Sequence, residues 1–70
     1  MPGPEDQLRN RVIELMECDE DVMRAVRDAA RRKRRHWLAN LVSDACTFLF
    51  GRFIGDLVDR AIDWIIDTYW

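Results

Sequence analysis

Apolar residues return every three or four positions along this chain, and nowhere do they alternate with polar ones over the length of a strand. Beyond Pro4 there is no proline, and glycine recurs only at Gly51 and Gly55, so little interrupts helix. Leu8, Val12, Leu15 and Met16 form one helical stripe. Pro4 suits a first helical turn, where its missing N–H is no loss, and Glu5 and Asp6 face the positive end of the dipole. These signals predict a first helix over about 4–17. Asp19 is a good N-cap for a second, with Glu20 and Asp21 in its opening turn, which places the intervening turn near Cys18 and Asp19.

The second helical stretch changes sides. Placed at 100° steps, Val22, Met23, Val26 and Ala30 share one face, while Arg24, Arg27, Arg31 and Arg35 share the other. Past Trp37 the roles exchange: Leu38, Val42, Ala45 and Leu49 continue the line of the arginines. Either the helix breaks between Lys33 and Trp37, or one long helix over about 20–49 buries opposite faces against different neighbours. The absence of glycine and proline favours the long helix. Within it, Trp37 aligns with Leu41 and Phe48, which favours a core position for Trp37.

The third helix is predicted over about 52–69. Ile54, Leu57, Val58, Ala61, Ile62, Ile65 and Tyr69 make a wide apolar arc, flanked by Phe53 and Trp64. Arg52, Asp56, Asp59, Arg60, Asp63 and Asp67 face away, with Arg60 placed to bridge Asp56 and Asp63. Gly51 is the hinge before it, and a bent continuous helix swapped between subunits is the alternative. The expectation is a single all-α domain over 1–70, a helical hairpin or three-helix bundle with a long central helix. The arc is too wide for one neighbour, so the fold is expected to assemble as a homodimer through Phe53, Leu57, Ala61, Trp64, Ile65 and Tyr69.

Composition strengthens that expectation. Hydrophobic residues make up 49% of 70 residues, more apolar surface than so short a monomer easily covers. Cys18 and Cys46 lie far apart, without the dense spacing of a disulfide scaffold, and read as small buried or half-buried hydrophobes in a reducing compartment. The N-terminal stretch does not resemble a signal peptide. The uncharged stretches around 37–43 and 45–51, separated by Asp44 and closed by Arg52, fall short of the roughly 20 residues a bilayer span requires. An intracellular protein is expected.

Catalysis finds little support. The one histidine, His36, and the one serine, Ser43, are two turns apart with no third orienting group, so no enzymatic activity is expected. Cys18, His36 and Cys46 lack metal-ligand spacing, and the aspartates at 56, 59, 63 and 67 have helical spacing, not that of a calcium loop, so neither metal nor cofactor is expected.

Charge changes the picture more than composition does. The formal net charge is only −2, yet Glu14, Glu17, Asp19, Glu20 and Asp21 form an acidic block, followed by Arg24, Arg27, Arg31, Arg32, Lys33, Arg34 and Arg35 against the single acid Asp28. On a continuous helix Arg24, Arg27, Arg31, Arg34 and Arg35 form a stripe roughly 16 Å long, a span that suits successive phosphates. Arginine stands in six of the seven positions, and its planar fork matches phosphate oxygens bidentately. The segment RDAARRKRRHW resembles the arginine-rich RNA-binding helices of viral proteins such as lentiviral Rev over about a dozen residues. That resemblance implies a partner in double-stranded or structured RNA, and a small viral accessory protein fits it. Trp37 beside the run could stack on a base, although its alignment favours the core. Three simpler readings compete: neutralisation of the stripe by the acidic block, a nuclear localisation signal in RRKRRH, and a lipid-facing basic helix. A different class of function, a protein-interaction module or inhibitor, rests on Phe53, Leu57, Trp64, Ile65 and Trp70 of the C-terminal helix entering a groove on a partner.

Overall fold

A computed structural model describes residues 3–70, and the described residues form four α-helices and no strand. They are α1 (Pro4–Cys18), α2 (Glu20–Arg31), α3 (Arg35–Phe50) and α4 (Gly55–Tyr69). Pro4 stands in the first turn of α1 after Gly3, with Glu5 and Asp6 beside it. A single residue, Asp19, separates α1 from α2; its backbone is extended and its Oδ1 accepts a hydrogen bond from the Asp21 N–H at 2.9 Å. Both features follow from local side-chain chemistry, a carboxylate pairing an otherwise orphaned helix-start amide.

The long helix expected over 20–49 is two helices. Arg32, Lys33 and Arg34 turn the chain, with Lys33 in the left-handed region at φ 54°. The Lys33 N–H donates to the Ala30 carbonyl at 3.2 Å and the Arg34 N–H to the Ala29 carbonyl at 2.8 Å. This is the Schellman pattern of a helix C-terminus, with lysine where glycine usually stands. The cause lies in the face exchange. Val26, Ala29 and Ala30 on α2 and Leu38, Val42, Ala45 and Cys46 on α3 are all buried in one cluster, which a straight helix with these residues on opposite sides does not achieve. Burying both sets against the same neighbours outweighs one strained residue.

Gly51 ends α3 at φ 72°, a conformation that glycine adopts without penalty, and residues 51–54 lead into α4, which begins three residues later than expected. Every helix touches the other three. Leu8, Val12 and Met16 of α1 and Val58, Ala61, Ile62 and Ile65 of α4 complete the core, and the fold measures 29 × 23 × 20 Å. Contacts fix directions as well. Arg60 Nη1 lies 3.6 Å from Glu5 Oε2, and the Arg9 guanidinium lies 5.6 Å from the Trp64 ring centroid, so α1 and α4 advance in the same sense. Arg11 stacks over Phe48 at 4.1 Å, while Leu15 shares a recess with Leu41, so α3 runs against α1.

The wide arc of α4 is therefore covered within the chain. Ala61 and Ile65 are fully buried, and Leu57, Trp64 and Tyr69 pack half-buried against the core, Trp64 meeting Tyr69 edge-on at 6.3 Å. Of the six residues expected at a dimer interface only Phe53 is exposed. Trp37, expected in the core, is exposed, as are Phe48 and Cys18, while Cys46 is buried. Arg60 reaches Glu5 on α1 instead of bridging along its own helix. Among the described residues no helix is long and apolar enough to cross a membrane.

Candidate functional site

The break in the central helix rearranges the basic segment. Arg24, Arg27 and Arg31 remain on the outer face of α2, a run of about 10 Å at 1.5 Å per residue. Arg32, Lys33 and Arg34 form the turn, and Arg35 opens α3. The continuous 16 Å stripe is thus a short stripe ending in a corner. All seven side chains are exposed.

Their partners divide them into two groups. Arg24 Nη2 lies 3.9 Å from Glu20 Oε2, Arg32 Nε 3.1 Å from Asp28 Oδ1, and Arg35 Nη1 donates to Asp63 Oδ1 at 2.7 Å. The first two are exposed pairs along one helix and are worth little. Arg35–Asp63 ties the start of α3 to α4 and orients that guanidinium. Arg27, Arg31, Lys33 and Arg34 have no carboxylate partner among the described residues. Neutralisation by the acidic block is correspondingly slight: Glu20 reaches Arg24, Glu14 pairs with Arg11 at 3.5 Å, and Glu17, Asp19 and Asp21 contact none of the stripe.

Two further features mark the corner. The first turn of α3 holds no acidic residue and has no side-chain cap, so the positive end of its dipole lies beside Arg34 and Arg35, with Asp63 of α4 the one carboxylate paired there among the described residues. Exposed aromatics flank the cluster: Trp37 one turn into α3 at 38% exposure, and Trp70 after α4 at 72%, with Lys33 Nζ 5.8 Å from its ring centroid. Lys33, Ile66, Asp67 and Trp70 line a recess of about 260 Å³. Neither Asp67 nor Trp70 figured in the basic site read from sequence, because their approach to Lys33 depends on tertiary packing across more than thirty residues.

His36 is exposed and makes no hydrogen bond to Ser43, and among the described residues no three His, Cys, Asp or Glu side chains converge as metal ligands do. A separate apolar surface lies on α3, where Trp37, Leu41, Asp44 and Phe48 share a face, with Arg11 and Leu15 of α1 alongside the last three. Asp44 in that row was the sequence signal that this face is the outer one, since the row of Leu38, Val42, Ala45 and Leu49 carries no charge. No family model, curated protein or solved structure matches the chain.

Proposed function

We propose that this protein binds structured RNA through the α2–α3 corner, gripping phosphates without covalent chemistry. The observation that carries the reading is the set Arg27, Arg31, Lys33 and Arg34: four exposed cations within eight residues, none paired with a carboxylate. Lys33 adds weight, because a left-handed position that glycine would fill without strain holds a cation instead. Guanidinium groups on a short helical run and a turn can meet phosphates on a curved backbone, as a hairpin loop or bulge offers. A straight arginine rod lying along a groove, the mode implied by the viral resemblance, gives way to a corner contact. A small viral accessory protein that sequesters RNA remains the biological setting this reading fits.

The test is anisotropy of a labelled 20-base-pair RNA carrying a hairpin loop, titrated at two salt concentrations with a DNA hairpin of the same sequence alongside. Binding that favours RNA and weakens steeply with salt supports the reading. The Arg27→Ala, Arg31→Ala, Arg34→Ala variant leaves every ion pair of the fold intact and is expected to lose binding while keeping its helicity. Wild-type binding by that variant, or none by the native chain at low salt, sinks the proposal.

A second reading has its own observation. Phe48 is 68% exposed and Phe53 61%, large rings of the kind that anchor protein contacts. Arg11 and Asp44 border the same recess as Phe48, giving an apolar surface with one charge of each sign at its edge. Self-association or partner docking thus moves from α4, where sequence placed it, to α3. Phe48→Ser is expected to abolish any dimer in sedimentation equilibrium and to leave RNA affinity per site unchanged.

A further inference from the structure

The recess beside the corner differs from the rest of the basic site in chemistry. It offers one exposed indole face, one ammonium above that face, one aliphatic side chain and one carboxylate. Asp67 makes no ion pair and no side-chain hydrogen bond among the described residues, whereas Asp63, one turn earlier on α4, is taken up by Arg35. A carboxylate repels phosphate, but two free carboxylate oxygens can accept from the N–H donors of a base. Trp70, in turn, is the most exposed of the large apolar residues among those described, yet it holds the cation–π contact with Lys33 that orients its ring toward the corner.

Resting on the RNA reading above, we propose that the Lys33–Ile66–Asp67–Trp70 recess binds one unpaired base, and that the base is guanine. Unpaired bases are splayed from loops and bulges, stacked on aromatic faces and read along their Watson–Crick edges. Trp70 supplies the stacking face. Asp67 is an acceptor only, with two oxygens side by side. The Watson–Crick edge of guanine places two donors next to each other, N1–H and the N2 amino group, which pair with those two oxygens. Adenine and cytosine each pair one donor with a repelled ring nitrogen, and uracil sets its single N3–H between two repelled carbonyls. Lys33, moved off the indole by the incoming base, reaches the phosphate of the same nucleotide, and Arg31 and Arg34, within two residues of it in sequence, serve the neighbouring phosphates. The corner therefore binds the backbone and the recess selects a nucleotide, which turns a general polyanion site into one that prefers an extruded guanosine.

Two experiments test this on the full chain. In the first, the affinities of a blunt RNA duplex, the same duplex with one bulged guanosine, and one with a bulged adenosine are compared. The guanosine bulge is expected to bind about tenfold tighter than the blunt duplex, the scale of one stacked base. Trp70→Ala and Asp67→Asn are each expected to remove that preference while leaving blunt-duplex binding in place. Equal affinity for all three RNAs overturns the base site and leaves phosphate binding standing; loss of binding to every RNA overturns both. The second experiment does not need the arginines. Guanosine monophosphate is titrated into 15N-labelled protein, the indole N–H signals of Trp37, Trp64 and Trp70 being assigned through single Phe variants. A shift of the Trp70 signal, absent with uridine monophosphate and absent in Asp67→Asn, is the expected result. A Trp70 signal unmoved by guanosine monophosphate, or moved equally by both nucleotides, overturns the assignment of guanine.

Discussion

Lys33 sits where a side chain with a β-carbon costs roughly 1–2 kcal/mol relative to right-handed backbone, and the Schellman bonds at 3.2 and 2.8 Å hold it there. Glycine relieves that strain. Lys33→Gly is expected to raise stability by about 1 kcal/mol, or about 4–8 °C in melting temperature for a domain this small, while weakening RNA binding by the loss of one cation. Thermal denaturation followed by circular dichroism checks the first effect and the anisotropy titration the second; a variant that melts lower shows the lysine conformation to be unstrained. The same residue explains why the break escaped the sequence. Turns are ordinarily legible through glycine or proline, and here neither is present. What the sequence did display was the exchange of buried faces between Val26 and Leu38, a tertiary demand that overrides the local propensity for continuous helix.

At the scale of elements, α1 and the α1–α2 junction were legible because their chemistry is local: Pro4 at the start, the Leu8–Val12–Met16 stripe, Asp19 as cap. Asp19→Ala is expected to cost about 1 kcal/mol, read from a urea midpoint. The use of α4 was not legible, since apolar width alone does not say whether the neighbours belong to the same chain. Splitting the central helix supplied the missing intrachain neighbour. Ile65→Ala is accordingly expected to cost about 2–5 kcal/mol as a core cavity, a large part of the about 4–10 kcal/mol total expected of a domain this size. Phe48→Ala, at a position 68% exposed, is expected to change stability by less than about 1 kcal/mol. Similar urea midpoint shifts for the two variants would contradict the assignment of faces.

For the whole molecule, the balance of −2 conceals a polar arrangement, acids toward the α1–α2 turn and along α4, and cations at the α2–α3 corner. The identities of the corner residues were plain from sequence, but their pairing was not: Arg35 finds Asp63 from 28 positions away, and only the folded chain separates it from Arg27, Arg31 and Arg34. If phosphates bind there, Arg31→Ala alone is expected to flatten the plot of log affinity against log salt by about 1 unit. An unchanged slope means that the charges measured lie elsewhere.

The corner has one more consequence, in the connectivity between copies. If Arg32–Arg34 straightened, residues 20–50 would form a single rod of about 46 Å at 1.5 Å per residue, far beyond the 29 Å length of the fold. Such a rod carries α3 and α4 away from α1 and α2, and their buried faces can then close only on the complementary half of a second molecule. In that rearrangement the left-handed lysine would be the latch between a self-contained monomer and a domain-swapped dimer, the core contacts being kept and the chain supplying them changed.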